Sequence, residues 1–127
     1  MMNKRLYGIR GAVSASNTEK DITEAVDELF SRLFGLNNVD PGEVVSVQFT
    51  VTGDLTACNP AGALRKSSLG RPAAGWALFC SQEPDIQGAP PGIIRVLVTA
   101  YLPGGTAVRH VYVRGAEKLR PDLAESR

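Results

Sequence analysis

The stretch GIIRVLVTAY (residues 92–101) has the composition of a buried β-strand with a charge in its middle. Its aliphatic and β-branched residues are typical of a strand inside a covered sheet. Arg95 interrupts them, and the nearest acidic residue before it in the chain is Asp85. A guanidinium does not lose its proton, and burying it without an anion costs several kcal/mol. We therefore expect Arg95 to face either a carboxylate from elsewhere in the fold or an anionic ligand.

The composition is that of one soluble globular domain spanning residues 1–127. Hydrophobic residues make up 43% of the chain, charged residues make up 21%, and the formal net charge is +1. This balance does not indicate nucleic acid or an anionic membrane as the main partner. Two cysteines are too few for a disulfide framework, and no apolar run has the length of a signal peptide or a membrane span. We expect a cytoplasmic protein.

The segment SNTEKDITEAVDELFSRLFG, which begins at Ser16, predicts one long helix. Its apolar residues recur at the i, i+3, i+4 and i+7 spacing of a single buried face. Ser16 and Glu19 have the spacing of a capping box, and the next pair with that spacing is Thr18 and Asp21. Gly35 is expected to end the helix.

Four further strands and one short helix are predicted around these two segments. The strands are at residues 6–13, 44–51, 77–81 and 108–113, and the short helix begins at Asn59 and Pro60. The turn LPGG is short, so the Arg95 strand and residues 108–113 are predicted to form an antiparallel hairpin. The fold class is α+β, a mixed five-stranded sheet with one long helix and a short helix. One long helix cannot cover both faces, and a second copy of the chain is the simplest cover for the other.

Polar residues within or at the ends of apolar strands are the candidates for a binding site. Arg10 lies in YGIRGA between two glycines, which let a ligand or another backbone come close. Cys80 and Glu83 lie at the end of the strand FCSQE, and Tyr112 lies on the predicted partner of the Arg95 strand. Each residue alone also fits a structural role: an arginine paired with an internal carboxylate, a solvated glutamate, a buried thiol or a core tyrosine.

Together, these candidates favour the binding of a small polyanion over acid–base or metal chemistry. The sequence contains no Cys/His cluster at metal spacing, no phosphate-binding glycine loop and no convincing Ser/His/Asp set. Five segments, GIRGA, FCSQE, IRVLV, RHVY and LRPDL, occur in an order and spacing that resembles the monofunctional trimeric chorismate mutases of the mixed α/β class. The resemblance runs from the first strand to the C-terminal tail.

The resemblance implies a one-step Claisen rearrangement of chorismate to prephenate, in aromatic amino-acid biosynthesis, without a cofactor, a metal or a covalent intermediate. Arg95 would face the ether oxygen of the breaking bond and one carboxylate, and Glu83 would accept a hydrogen bond from the ring hydroxyl. The other positions implied to bind the substrate are Arg10, Phe79, Cys80, Ser81, Gln82, Tyr112, Arg65 at the cleft mouth and Arg120 in the tail.

The resemblance also implies a homotrimer whose sheets form a pseudo-α/β barrel, with active sites between subunits. Residues 59–65 would then cover a neighbour's cleft, and the tail over 115–127 would be a flexible lid. Two alternatives stay open: a small trimeric imine/enamine deaminase, and a non-catalytic carboxylate-binding protein of the same fold. Neither nucleic acid nor a membrane is expected as a partner.

Overall fold

The strand that contains Arg95 lies at the centre of a mixed five-stranded sheet in the computed structural model, which describes residues 3–123. The strands are β1 (Lys4–Ser14), β2 (Val44–Val51), β3 (Ala77–Gln82), β4 (Ile93–Pro103) and β5 (Val111–Val113). The helices are α1 (Glu19–Asn37), α2 (Pro60–Arg65) and α3 (Gly70–Ala73). Across the sheet the order is β3-β2-β4-β1-β5. The predicted α+β class is confirmed.

The position of β5 shows that the predicted hairpin was wrong. β5 pairs in parallel with β1, with Gly11 opposite Val111 and Val13 opposite Val113. β4 is antiparallel to β1 on one side and to β2 on the other, so it has no free edge for β5. The ladders with β1 and β2 satisfy far more backbone N–H and C=O groups than a three-residue strand could. They therefore decide the pairing, although the link from β4 to β5 is short.

Helix α1 begins as predicted and runs past its predicted end. The Thr18 hydroxyl oxygen accepts a hydrogen bond from the Asp21 N–H at 3.0 Å, so the second of the two predicted caps is formed. Ser16 instead donates to the Asp21 carboxylate from both its N–H and its hydroxyl. Gly35 lies inside the helix, and Asn38 closes it in the left-handed conformation, with φ of 49°.

The short helix α2 forms where it was predicted. The Asn59 side chain accepts a hydrogen bond from the Ala61 N–H at 2.8 Å, and Pro60 occupies the first turn. α2 packs against α1 and β3. The four-residue helix α3 follows it and was not predicted. In the part of the chain that the structure describes, no helix is both long and apolar enough to cross a membrane.

The two faces of the sheet differ in their cover. On one face, alternate strand residues pack with α1 in a single core; among those fully removed from solvent are Ile9, Val13, Val47, Ile94, Val98, Leu29 and Leu33. We call the other side the open face; it carries Leu6, Arg10, Thr50, Phe79, Arg95, Leu97 and Tyr101. Its large apolar side chains are exposed, from 39% for Leu97 to 66% for Phe79. A single chain therefore leaves one face of the sheet mostly uncovered.

The chain turns sharply after β5. Arg114 and Gly115 both have left-handed backbone conformations, with φ of 54° and 93°. The Arg114 Nη2 donates to Asp21 Oδ1 at 2.8 Å, which ties this turn to the start of α1. Hydrogen bonds from the Ser16 N–H first and then from Arg114 lower the pKa of Asp21 to about 2.

The segment after this turn covers one end of the open face. A 3-10 turn over Ala116–Leu119 packs against Ala12 and Tyr112, and Leu123 joins the same small cluster. A flexible tail was predicted over 115–127, and residues 124–127 of it lie outside the described residues.

Candidate active site

Four side chains lie in one row across the open face. Thr50 is opposite Arg95 in the β2–β4 register, and Arg95 is opposite Ala12 in the β4–β1 register. Ala12 is in turn opposite Tyr112 in the parallel β1–β5 register. Paired residues project to the same side of a sheet. Only the methyl group of Ala12 therefore separates Arg95 from Tyr112 along this row.

Arg95 is anchored by one internal carboxylate. Its Nε donates to Glu83 Oε2 at 2.6 Å, and the Thr50 hydroxyl donates to the same oxygen at 2.6 Å. Glu83 is held in turn by its own N–H, which donates to the Val51 carbonyl at 2.8 Å and extends the β2–β3 pairing. The side chains of Arg95 and Glu83 are 40% and 16% exposed. The internal pair, one of the two expectations for Arg95, is thus present.

This pair leaves hydrogen-bonding capacity on both partners. The bond to Glu83 uses only the Nε of Arg95. Within residues 3–123, the terminal guanidinium nitrogens of Arg95 make no hydrogen bond and Glu83 Oε1 accepts none. A guanidinium has further donors at its terminal nitrogens, and a carboxylate has further lone pairs at its second oxygen. The pair can therefore orient both groups toward a third molecule.

Arg95 lines a cleft of about 370 Å³ on the open face. Small-molecule sites commonly have volumes of this order. The residues that line it are Arg10, Gly11, Gln48, Thr50, Arg95, Val96, Leu97, Tyr112 and Arg120. Three of these nine are arginines, and none is acidic. The cleft is thus a positively charged site with apolar walls.

Arg10 contributes a second cation to the cleft from β1. Among the described residues its guanidinium has no hydrogen bond and no ion pair, while its backbone N–H donates to His110 Nδ1 at 2.9 Å. Gly11 beside it lines the cleft, and it also lets β1 pack closely on α1: an added Cβ there would lie 3.0 Å from Val96 and 3.1 Å from Leu29. The absence of a side chain at Gly11 is therefore required by the contact between the sheet and α1.

Tyr112 and Arg120 complete the cleft from the C-terminal part of the chain. Tyr112 is buried, with 4% of its surface exposed. Arg120 donates from Nε and Nη2 to the Asp122 carboxylate at 3.0 and 2.7 Å. That hydrogen-bonded pairing is the main reason that the pKa of Arg120 is raised. Of the residues singled out from the sequence, the structure brings Arg10, Arg95, Tyr112 and Arg120 to the cleft and places Glu83 behind Arg95.

The predicted residues of β3 are divided between the two faces of the sheet. Phe79 is 66% exposed, and in the β2–β3 register it is opposite Gln48; Ser81 is opposite Thr50, on the same open face. Cys80 lies between them in sequence and packs against the core on the other face. Burial raises the pKa of its thiol. The Cys80 side chain is therefore not part of the cleft.

Gln82 and Arg65 lie away from the cleft in the single chain. Gln82 lines a second cavity of about 310 Å³, together with Glu83 and the loop at 84–91. Arg65 ends α2, which packs against α1 and β3, and it is not among the residues that line the cleft. A role for Arg65 at a cleft requires a neighbouring subunit.

The sequence reasoning missed Thr50, Gln48 and Leu97 as residues of the site. The alternation along 44–51 already indicated that Gln48 and Thr50 share one side of their strand. What it did not contain is the β2–β4 register, which places Thr50 opposite Arg95 and Gln48 opposite Leu97. Register between strands far apart in the chain depends on the whole packed sheet.

The arrangement suits the binding of a small polyanion. Permanent cations at Arg10, Arg95 and Arg120 can hold carboxylates, and a fixed cation stabilises negative charge that develops during a reaction. Within residues 3–123, no three His, Cys, Asp or Glu side chains are grouped so that they could hold a metal ion. Fold and cleft together define an α+β protein whose site is a cationic cleft on an open sheet face.

A family model described as chorismate mutase type I matches residues 6–123, and the chain belongs to that family. Chorismate mutase AroH of Bacillus subtilis (strain 168) is 34% identical over 124 residues, which cover 94% of this chain and 93% of that protein. Chorismate mutase AroH of Thermus thermophilus is 38% identical over 120 residues, which cover 91% and 94%. The resemblance drawn from the five segments is confirmed, and the alternative of an imine/enamine deaminase is not favoured.

A solved structure supports the same assignment. The chorismate mutase from Clostridium thermocellum Cth-682 matches with a TM-score of 0.78 and 31% identity. The match covers 88% of this chain and 98% of that chain. The fold described above is therefore that of a chorismate mutase along nearly the whole of its length.

Proposed function

We propose that this protein is a chorismate mutase, which converts chorismate to prephenate by a one-step Claisen rearrangement for aromatic amino-acid biosynthesis. The observation that carries the proposal is the cationic cleft around Arg95, in a chain whose family is that of the type I chorismate mutases. Chorismate is a dicarboxylate with an ether oxygen and a ring hydroxyl. A site for it needs cations for the carboxylates, a donor for the ether oxygen and an acceptor for the hydroxyl.

In this proposal Arg95 is the catalytic residue. Its Nε is fixed by Glu83, and its terminal nitrogens donate to the ether oxygen of the breaking C–O bond and to one carboxylate. Negative charge grows on the ether oxygen in the transition state. A fixed guanidinium therefore stabilises the transition state more than it stabilises bound chorismate, and this difference raises kcat.

Glu83 has a double role in the proposal. Its Oε2 accepts from Arg95 and Thr50, and its Oε1 remains to accept from the ring hydroxyl of the substrate. The remaining part of the rate acceleration comes from holding chorismate in its folded reactive shape, which removes rotational freedom before the reaction begins.

The other cations of the cleft bind the carboxylates. The Arg10 guanidinium has no hydrogen bond or ion pair among residues 3–123, so a substrate carboxylate supplies its counterion. The Tyr112 hydroxyl donates to a carboxylate as well. Arg120 lies on the segment after the 3-10 turn and closes the cleft from that side. The backbone of 79–82, which does not line the cleft of the single chain, is proposed as the wall beside Glu83.

We also propose a homotrimer in which the open faces pack together into a barrel-like core. The exposed apolar residues of the open face support it, because a soluble monomer seldom leaves such side chains together on one sheet face. Residues 59–65 then reach a neighbour's cleft, with Arg65 at its mouth.

We also propose a cytoplasmic location. Cys58 and Cys80 are both free thiols, as is usual in a reducing compartment.

The activity is tested by mixing the purified protein with chorismate in a buffer that contains a metal chelator. The loss of chorismate absorbance is followed, and the product is identified by NMR because chorismate and prephenate are isomers. We expect turnover that the chelator does not affect. Binding of chorismate by calorimetry without turnover would show the non-catalytic alternative, and release of ammonia from an imine substrate would show a deaminase.

A further inference from the structure

His110 makes a hydrogen bond that no part of the proposed reaction has used. It lies immediately before β5, and its Nδ1 accepts the backbone N–H of Arg10 at 2.9 Å. The parallel β1–β5 pairing begins one residue later, with Gly11 opposite Val111. The imidazole therefore takes the place that a backbone carbonyl would have if the ladder continued to Arg10.

The position of His110 is fixed from the core. Asn37, a buried residue at the end of α1, donates from Nδ2 to the Arg109 carbonyl at 2.9 Å and accepts the Arg109 N–H at 2.8 Å. The backbone immediately before His110 is thus held at both of its polar groups. Its imidazole is half-buried and does not line the cleft.

The hydrogen bond also fixes the protonation of the imidazole. An Nδ1 that accepts an N–H carries no proton, so the ring is neutral and has its hydrogen at Nε2. Burial lowers the pKa of His110 below its usual value, and the positive charges of Arg10 and Arg120 lower it further. Arg120 is itself paired with Asp122. The neutral form is favoured on folding, so its stabilising effect is present at neutral pH and is lost as pH falls through the lowered pKa.

We propose that neutral His110 is a positioning residue, which holds the β1 backbone at Arg10 and so directs the Arg10 guanidinium toward a substrate carboxylate. It touches neither the substrate nor the breaking bond. The β1–β5 register ends at Gly11, and the Arg10 N–H on that side of β1 donates to His110 Nδ1. Without it, the Arg10 N–H at the end of the β1–β5 ladder has no acceptor among the described residues. The inference rests on the proposed function of the cleft.

Two substitutions at His110 distinguish the effect of losing the hydrogen-bond acceptor from the effect of changing the aromatic ring. His110→Phe keeps a ring but has no acceptor, and it is expected to lower kcat/KM roughly 2- to 10-fold, the value of one neutral hydrogen bond. His110→Asn places its Oδ1 close to the position of Nδ1 and is expected to restore most of that loss. In an Arg10→Ala background His110→Phe should have no further effect, because the residue through which it acts is absent. A loss of the same size in both backgrounds would overturn the proposal.

The pH dependence of kcat/KM distinguishes the proposed positioning role of His110 from a purely structural one. Protonation at Nδ1 removes the acceptor, so kcat/KM of the wild-type protein should fall on the acid side of pH 6.5 by about the factor seen for His110→Phe at neutral pH. The His110→Asn profile should lack this acid limb. An acid limb of equal size in both proteins would contradict the proposal.

A spectroscopic measurement separates failure of this inference from failure of the proposed function. The ¹⁵N shifts of the His110 ring report its tautomer in the free protein, without chorismate. We expect a proton on Nε2 and none on Nδ1, whether or not the protein turns chorismate over. A proton found on Nδ1 would overturn the role of His110 and leave the chorismate mutase assignment standing. Absence of wild-type turnover with the proton on Nε2 would overturn that assignment, and with it the positioning role of His110, and leave only the hydrogen bond to Arg10.

Discussion

Arg95 carries a permanent charge on a strand whose other residues are mostly apolar, and two features make this placement tolerable. Glu83 supplies an internal counterion at 2.6 Å, and the Arg95 side chain as a whole retains 40% exposure. Pairing and partial hydration both reduce the cost of taking an ion out of water. Arg10 has no such counterion among the described residues, so the cleft keeps an excess of positive charge for a dianionic ligand.

The anchoring of Arg95 by Glu83 is open to a direct test at the residue scale. Glu83→Gln keeps the size of the side chain but removes the charge that holds Arg95 Nε. We expect kcat/KM to fall roughly 10- to 100-fold, because a hydrogen bond to a charged group is worth about 1.5–3 kcal/mol. The measurement is steady-state kinetics with chorismate at neutral pH.

Thr50→Val is the matched control for Glu83→Gln. It removes a neutral donor to the same Glu83 oxygen and leaves the carboxylate in place. The expected loss in kcat/KM is smaller, roughly 2- to 10-fold. Equal losses for the two variants would mean that the charge of Glu83 does not position Arg95.

At this scale the sequence identified most of the charged groups of the cleft, because a cation within an apolar strand is conspicuous. The sequence could not show on which face of the sheet Cys80 lies. The segment ALFCS is nearly all apolar or small, so it does not show which alternate residues face the core. The register with β2 decides this, and it places Cys80 on the core side. Thr50 was missed for a similar reason: its position opposite Arg95 exists only in the folded sheet.

At the scale of elements, α1 and β5 show what local sequence can predict. The long helix was predicted because its apolar periodicity and its Thr18 N-cap both lie within one continuous segment. The predicted partner strand of β5 was wrong because strand pairing depends on parts of the chain that are far apart in sequence. β1 and β4 are each 11 residues long and pair along their whole length, which leaves β5 the free edge of β1.

Two glycines give opposite predictions for the stability of the fold. Gly35 lies inside α1 with nothing within 4 Å of an added Cβ, so Gly35→Ala should increase the free energy of unfolding by about 0.5–1 kcal/mol. Gly11→Ala should decrease it by about 1–3 kcal/mol, because the new methyl group meets Val96 and Leu29 in a packed core. Denaturant unfolding of the three proteins under identical conditions measures both values. A stabilised Gly11→Ala variant would contradict the described contact of β1 with α1.

At the scale of the whole molecule, the open face is the feature that a single chain leaves unexplained. Leu6 and Tyr101 are opposite each other on β1 and β4, at the end of the face away from Arg95, and are 54% and 43% exposed. The proposed trimer removes such surface from water. Packing between subunits would also bring a neighbour's residues to the cleft, which is the setting in which Arg65 acquires a role.

The trimer predicts a particular response to charge on the open face. The wild-type protein should sediment as a trimer at micromolar concentration. Tyr101→Glu should weaken assembly roughly 100-fold or more, because it buries an unpaired charge in the interface, and activity should fall with it. Ser31→Glu introduces the same charge on the exposed side of α1 and should change neither property. A stable wild-type monomer with full activity would contradict the proposed assembly.

The most direct test of the account is kcat for chorismate in an Arg95 series. Arg95→Ala should lower kcat by on the order of 10³-fold or more, because it removes the preorganised charge that faces the ether oxygen. Arg95→Lys should also be strongly impaired, since a lysine cannot donate to Glu83 and to the substrate from a planar fork. KM should change less than kcat in both variants. A kcat for Arg95→Ala within about ten-fold of the wild-type value, less than the loss of a single transition-state donor, would contradict the account.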